Sequence, residues 1–318
     1  VYLSKIHISD IKELSVSSAF LNINWLKSYD HDKLTPIGIF NNNNELIGSF
    51  FLYNYKRLKF FKQLSAPPFM PTCELTYKNL ATNNANKQKF DKEVLIAIAD
   101  YLGTRREIMI VDFPSSVKNI TPFIHKNFKV STRITYQLDL LQSEEELFSN
   151  MSSERRKNIK KAIKDGVTFE KVKNTNSIAV DLIKSTYDRN NKTVDYTIIE
   201  NILKNMTEDS SYMHIAFDHN KHPVAANFCV FDDNKTTYKF GGYSSEFKHE
   251  GAGALLMWES IKLAKSKGIE HFDFDGSMLP AIETFFRGFG GEIVNYHTIA
   301  KAPILLEYIL KTRQRGLF

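Results

Sequence analysis

A chain of 318 residues, 42% hydrophobic and 13% aromatic, is long enough for two domains and apolar enough for a packed core in each, which excludes the disordered and fibrous classes. Its 42 Lys and Arg against 36 Asp and Glu leave a formal charge of +6, a modest excess that suits an anionic ligand such as a phosphate ester or a tRNA but is common without one. Two cysteines far apart, Cys73 and Cys229, outside any CxxC or His-paired spacing, exclude a disulfide framework and a zinc site and fit a reducing cytoplasm, while no run approaches the roughly 18 to 20 apolar residues of a bilayer span.

The opening VYLSKIHISDIKELS lacks a signal-peptide core, so a soluble chain without stable membrane insertion is expected. A short helix is predicted over 18–29. Then TPIGIF and ELIGSFFLYNY flank Asn41–Asn44, four residues that tolerate turn dihedrals, and predict a β-hairpin. Pro67, Pro68 and Pro71 describe a rigid extended loop. Phe90, Val94, Leu95, Ile98 and Leu102 recur at helical spacing over 87–102, and REIMIVDFP follows as a strand. The domain boundary is expected where YQLDLLQ gives way to SEEELFSNM, a Ser-capped helix with an acidic first turn.

A basic helix comes next. Between Glu154 and Asp165 it carries six Lys and Arg, with Ile159, Ala162 and Ile163 on an apolar face and Gly166 as its stop. Its charges read either as a solvated face or as the border of an anionic substrate. Helices are predicted over 178–190 and 196–206. The alternation then changes period, and SYMHIAFD, HPVAANFCVFD and TTYKFGGYS predict a three-strand antiparallel meander. A helix over 253–267, the strand IEHFDFD, a short helix over 280–287, GFGG and the strand EIVNYHTI complete an α+β core.

Three places could carry chemistry. Lys248, Gly251, Ala252 and Gly253 put small residues at a helix start, where unpaired amides and the helix dipole suit a pyrophosphate, although such glycines also serve ordinary loops. In HFDFDGS, strand alternation puts His271, Asp273 and Asp275 on one face at a strand end; a carboxylate there could accept a proton, or Asp275 or Ser277 could merely cap the next helix. In LPAIETFFRGFGGE, Ile282, Phe285, Phe286 and Phe289 pack inward and leave Arg287 as a cation beside an aromatic cluster, fit either for an oxyanion or for the helix dipole. Tyr243, at the end of its strand, could order the acceptor or serve a leaving group. Cys229, inside an apolar strand, reads as core.

Residues Tyr238 through Glu292, with SSERRKNIKKAIKDGV before them, resemble the C-terminal domain of the Fem-type and CelD-like branch of the GNAT acyltransferase superfamily. The resemblance implies two tandem GNAT-like domains, each a mixed, mostly antiparallel sheet flanked by helices: 1–141, then 142–300 as the catalytic domain, then a tail over 301–318. It implies acyl transfer to an amine or hydroxyl of a sugar or cell-envelope precursor. Ordinary members bind acetyl-CoA on an Arg/Gln-x-x-Gly-x-Gly/Ala loop, and Lys248 to Gly253 reads K-H-E-G-A-G, so acyl-CoA is the expected donor, with no metal. Fem-type members take an aminoacyl group from charged tRNA instead, and their FK-x-G-F-G-G segment is here F-R-G-F-G-G, with Arg287 in the place of Lys. The expected set is then Arg287, Asp275 and Tyr243 for catalysis, Lys248, Gly251, Ala252 and Gly253 for the donor, and Arg155, Arg156 and Asp273 for substrate. A Fem-type aminoacyl-tRNA ligase and an inactive binding module are the alternatives. The oligomeric state stays open.

Overall fold

The computed structural model describes residues 1–14, 18–57, 61–189, 194–276 and 278–313. The chain forms two units, one of Val1–Val16, Tyr29–Arg133 and Asn295–Phe318, the other of Ser17–Ser28 and Ile134–Val294. The first division therefore falls at 133/134, within the strand Lys129–Asp139, and not at 141/142. The expected tail is not a separate element either: it carries the helix Ile304–Arg313, which belongs to the first unit together with the strand residues from Asn295.

In the first unit the sheet runs Tyr2–Lys5, Leu34–Phe40, Leu46–Arg57, Phe61–Ser65, Ile108–Phe113 and the end of Glu292–Lys301. All neighbours are antiparallel except Phe61–Ser65 beside Ile108–Phe113. The expected hairpin is there, with Asn44 in its turn at φ 63°, a left-handed conformation that asparagine tolerates better than most residues. The helix Asn84–Gly103 lays Val94, Leu95, Ile98, Ala99 and Leu102 on this sheet, the stripe read from the spacing.

The second unit repeats the scheme. From Ile134 the strand Lys129–Asp139 pairs with His271–Asp273, followed by Lys235–Tyr243, Pro223–Phe231, Ser211–Phe217 and Thr168–Val172. Only His271–Asp273 and Lys235–Tyr243 are parallel, joined by the helix Ala252–Ser266 as a crossover, while short turns join Ser211–Phe217 to Pro223–Phe231 and Pro223–Phe231 to Lys235–Tyr243 as antiparallel neighbours. That helix buries an apolar run from Ala254 to Trp258 together with Ile261 and Ala264, and leaves Glu259, Lys262 and Lys265 on its less buried side. The helix Ser153–Lys164 packs against it with Ile159 and Ala162 inward, but Ile163, expected beside them, is exposed. The helix predicted to Asn190 is Ser177–Arg189, and Asn190 lies outside the described residues.

Candidate active site

A cavity of about 730 Å3 opens in the second unit where the strand Lys235–Tyr243 ends against the first turn of the helix Ala252–Ser266. Its walls are aromatic, with Tyr187, Tyr238, Tyr243, Phe274, Phe285 and Phe286, and its charges are Arg155, Arg189 and Lys239 against Asp275 and Glu250. Apolar walls with a few converging charges are what a small-molecule site needs, since the low dielectric strengthens each charge that remains.

Arg155 is a cation buried in this wall. It is 5% exposed, its guanidinium carbon stands 4.5 Å from the centroid of Phe285 and 5.7 Å from that of Phe289, and its Nε has no hydrogen-bond partner. Its ion-pair partner Glu154 is 3.5 Å away and largely in solvent. Burial pulls the Arg155 pKa down, and Glu154 and Tyr243 oppose that shift. A guanidinium keeps its charge under such a shift. A buried cation with an unused N–H carries a desolvated charge that an anionic oxygen in the cavity would stabilise.

Tyr243 stands in the same wall. Its main-chain N–H donates to Thr186 Oγ1 at 3.2 Å, which ties the strand end to the helix Ser177–Arg189. Burial pushes its phenol up to about 12, with Arg155 pulling the other way. The ring lies where a side chain on Gly253 would be: a Cβ there would meet Tyr243 Oη at 2.2 Å and Cε1 at 2.3 Å. Gly253→Ala is therefore expected to force the ring into the cavity, costing about 1–3 kcal/mol of stability. Urea melts of the variant should show that loss, and a melt unchanged from wild type would refute the contact.

Asp275 reaches the cavity through a left-handed turn, with φ 59° there and 53° at Gly276. Its N–H donates to Asp273 Oδ1 at 2.9 Å, and its carboxylate pairs with Lys239, itself buried with its ammonium over the ring of Phe20. Burial raises the carboxyl to about 6 although Lys239 opposes it. A carboxylate raised that far is a usable proton acceptor near neutral pH.

Several expected site residues lie elsewhere. Arg287 is corrected: its side chain is 59% exposed and bonded to Glu283 Oε1 at 3.0 Å, outside the cavity, because Ile282, Phe285 and Phe286 take the inward face of the helix Pro280–Arg287. Arg156 is outside the cavity lining; its Nη1 donates to the carbonyls of Ser149 and Met151 and closes the end of the helix Glu144–Asn150. Asp273 is outside the lining too. Thr135 Oγ1 at 2.7 Å and Gln137 Nε2 at 2.9 Å donate to its carboxylate, and the strand ends there, so the turn at Asp275 breaks the alternation that would have put both acids on one face. Ser277 lies outside the described residues.

The glycine-rich turn departs most from the expectation. Lys248 is exposed and outside the cavity, and only Gly253 of the four expected residues lines it. The Gly251 N–H donates to His249 Nδ1 at 3.1 Å and the Ala252 N–H to the His249 carbonyl at 3.4 Å. A Cβ on Gly251 would sit 2.1 Å from the Asn158 carbonyl, so this glycine makes room for the neighbouring helix. Arg189, Lys239, Tyr187 and Tyr238 were not foreseen. A lysine between Tyr238 and Phe240 in a strand of buried residues was the one available signal among them. Cys229 is buried, and burial pushes its thiol up to about 12, which makes it inert as a nucleophile.

Comparison with known proteins bears on this site. The family model described as "Acetyltransferase (GNAT) domain" matches residues 153–287. The aminoacyltransferase FemA of Staphylococcus aureus is 27% identical over 85 residues, a segment that spans 24% of this chain and only 20% of FemA. Among solved structures, FemX is similar across 98% of this chain and 99% of its own with a TM-score of 0.63 at 14% identity. The C-terminal domain of a putative lysylphosphatidylglycerol synthetase from Agrobacterium fabrum matches over 96% and 95% at 11% identity and 0.56, and a tandem GNAT protein from the clavulanic acid pathway over 94% and 97% at 8% and 0.52. At such identities these structures speak for the fold, two GNAT-like units in tandem.

Proposed function

We propose, for a chain that belongs to the Fem-like branch of the GNAT acyltransferases and is a transferase, that its cavity moves an aminoacyl group from an activated oxyester to an amine of a cell-envelope precursor. The observation that carries this reading is Arg155, a buried guanidinium with an unpaired Nε in the cavity wall. The amine attacks the ester carbonyl directly; a C–N bond forms and the carbonyl oxygen takes negative charge against Arg155. The ammonium proton passes to the Asp275 carboxylate. Collapse breaks the C–O bond, and the departing alkoxide takes a proton from the Tyr243 phenol, which regains one from Asp275 by way of solvent. One amide and one alcohol result, and the protein ends as it began.

Two properties favour an oxyester over acyl-CoA. A diphosphate at the helix start would find the Gly251 and Ala252 amides already bonded, the Gly251 space filled, and Glu250 at the cavity wall. A thiol of pKa about 8.5 leaves unaided as thiolate, so an acid as weak as the Tyr243 phenol has use only toward an alkoxide. A charged tRNA is the donor that combines an aminoacyl oxyester with a polyanion. Label from aminoacyl-tRNA should appear in an amine-bearing envelope precursor, and the melting temperature should not respond to CoA. Transfer from acetyl-CoA, with CoA raising the melting temperature, would overturn the choice of donor and leave the role of Arg155 standing.

A further inference from the structure

We infer that the first unit rests on an anionic lipid surface, with the helix Ile304–Arg313 lying in the interface and a basic recess beside it receiving lipid phosphates. The sequence ILLEYILKTR is apolar on two faces. One face is used: Leu310 and Leu306 pack on Ile108, Ile110, Ala300 and Ala302 and fix the helix to the unit. The other is not. Ile304, Leu305, Tyr308 and Ile309 share a face at i, i+1, i+4 and i+5, and are 86%, 85%, 78% and 51% exposed. An isolated exposed leucine is ordinary, but four large apolar side chains on one face of an anchored helix form a patch that water does not favour.

Charge selects the occupant. Lys62, Arg105 and Arg106, three cations against the single acid Glu107, line a recess of about 530 Å3 that also takes in Leu306 of this helix and the exposed Phe61. Among the described residues none of these three cations is ion-paired; Arg105 bonds the Tyr101 hydroxyl and stacks on its ring, which holds it in place. An apolar stripe bordered by unpaired cations suits acyl chains below anionic phosphates. It suits a second copy of the chain poorly, because a two-fold contact through this stripe would bring the two basic recesses together. Ten residues make a helix of about 15 Å, and among the described residues no helix is long and apolar enough to cross a membrane. The helix therefore lies along the surface, with Glu307 and Lys311 paired along its flank.

The test is cosedimentation of the full chain with vesicles of phosphatidylglycerol and phosphatidylcholine. Wild type should sediment with them, less so as salt is added, and only weakly with phosphatidylcholine alone. Leu305→Glu with Ile309→Glu should weaken binding about tenfold or more, and Lys62→Glu with Arg106→Glu should remove the preference for anionic vesicles. These positions are exposed, so far-UV circular dichroism and the melting temperature should stay at wild-type values. Wild type left in the supernatant, or both double variants binding as wild type does, would overturn the proposal. So would a concentration-dependent dimer that Leu305→Glu with Ile309→Glu abolishes in the absence of vesicle binding, since the occupant would then be a second copy.

Discussion

Replacing Arg155 by Met should lower kcat/KM by about 10²–10³, or about 2.7–4 kcal/mol of transition-state stabilisation, and leave the melting temperature near that of wild type. The two expectations have different causes. The rate falls because a cation in the wall of a cavity of low dielectric is lost where charge develops on the carbonyl oxygen. The fold survives because the guanidinium is a burden in the resting protein: it is buried, its Nε is unbonded, and its one acidic partner is in solvent. Met keeps the packing on Phe285 and Phe289 and removes the desolvated charge. Arg287→Ala, in contrast, breaks an exposed pair with Glu283 worth less than about 1 kcal/mol and should leave the rate within about twofold. Steady-state kinetics on both variants decides the matter. A wild-type rate for Arg155→Met would remove the oxyanion assignment, and a dead Arg287→Ala would return it to the position first expected.

The contrast between these arginines also measures how much of the site could be read from the residues alone. Arg155, Ile159 and Ala162 fall at i, i+4 and i+7, so helical spacing already puts Arg155 on the buried stripe, while Arg156 falls beside it among the solvated charges. Arg287 stands four residues after Glu283 and off the stripe of Ile282, Phe285, Phe286 and Phe289, the spacing of a surface ion pair. Both placements were legible, and the motif surrounding Arg287 drew attention from them. Local pattern served the scaffold well for the same physical reason: the hairpin at Asn41–Asn44 and the stripe of the helix Asn84–Gly103 are set by dihedral preference and period. What could not be read was long-range. Lys239 meets Asp275, and Thr186 holds Tyr243, across separations that no spacing rule addresses. The closure of the glycine turn by the Asn158 carbonyl belongs to the same class, since a loop glycine for a phosphate and one for a neighbouring helix look alike in one dimension.

Asp275→Asn should cost about 10²–10⁴ in kcat, the usual weight of a positioned general base, and should change the shape of the pH profile as well as its height. In wild type the carboxyl titrates near 6, so the rate should climb as pH rises through that value, when the acceptor's proton gains somewhere to go. The amide cannot take that proton, and the limb near 6 should vanish while any limb owed to the amine itself remains. Asn still offers Lys239 an oxygen, which keeps the buried ammonium bonded, and the melt of the variant checks that the fold is kept. Stability supplies an independent reading. Because burial holds the carboxyl above its ordinary value of 3.8, the folded chain keeps a proton that the unfolded chain has released between about pH 4 and pH 6. The contribution of Asp275 to stability is whole below that window and is lost as pH rises through about 6, so the stability of wild type relative to Asp275→Asn should decline across it. Urea melts of both proteins at pH 4, 5, 6 and 7 would show that decline. A difference that grows with pH would mean the carboxylate is stabilised by Lys239 more than it is strained by burial, and Asp275 would then be a structural anion and not the base.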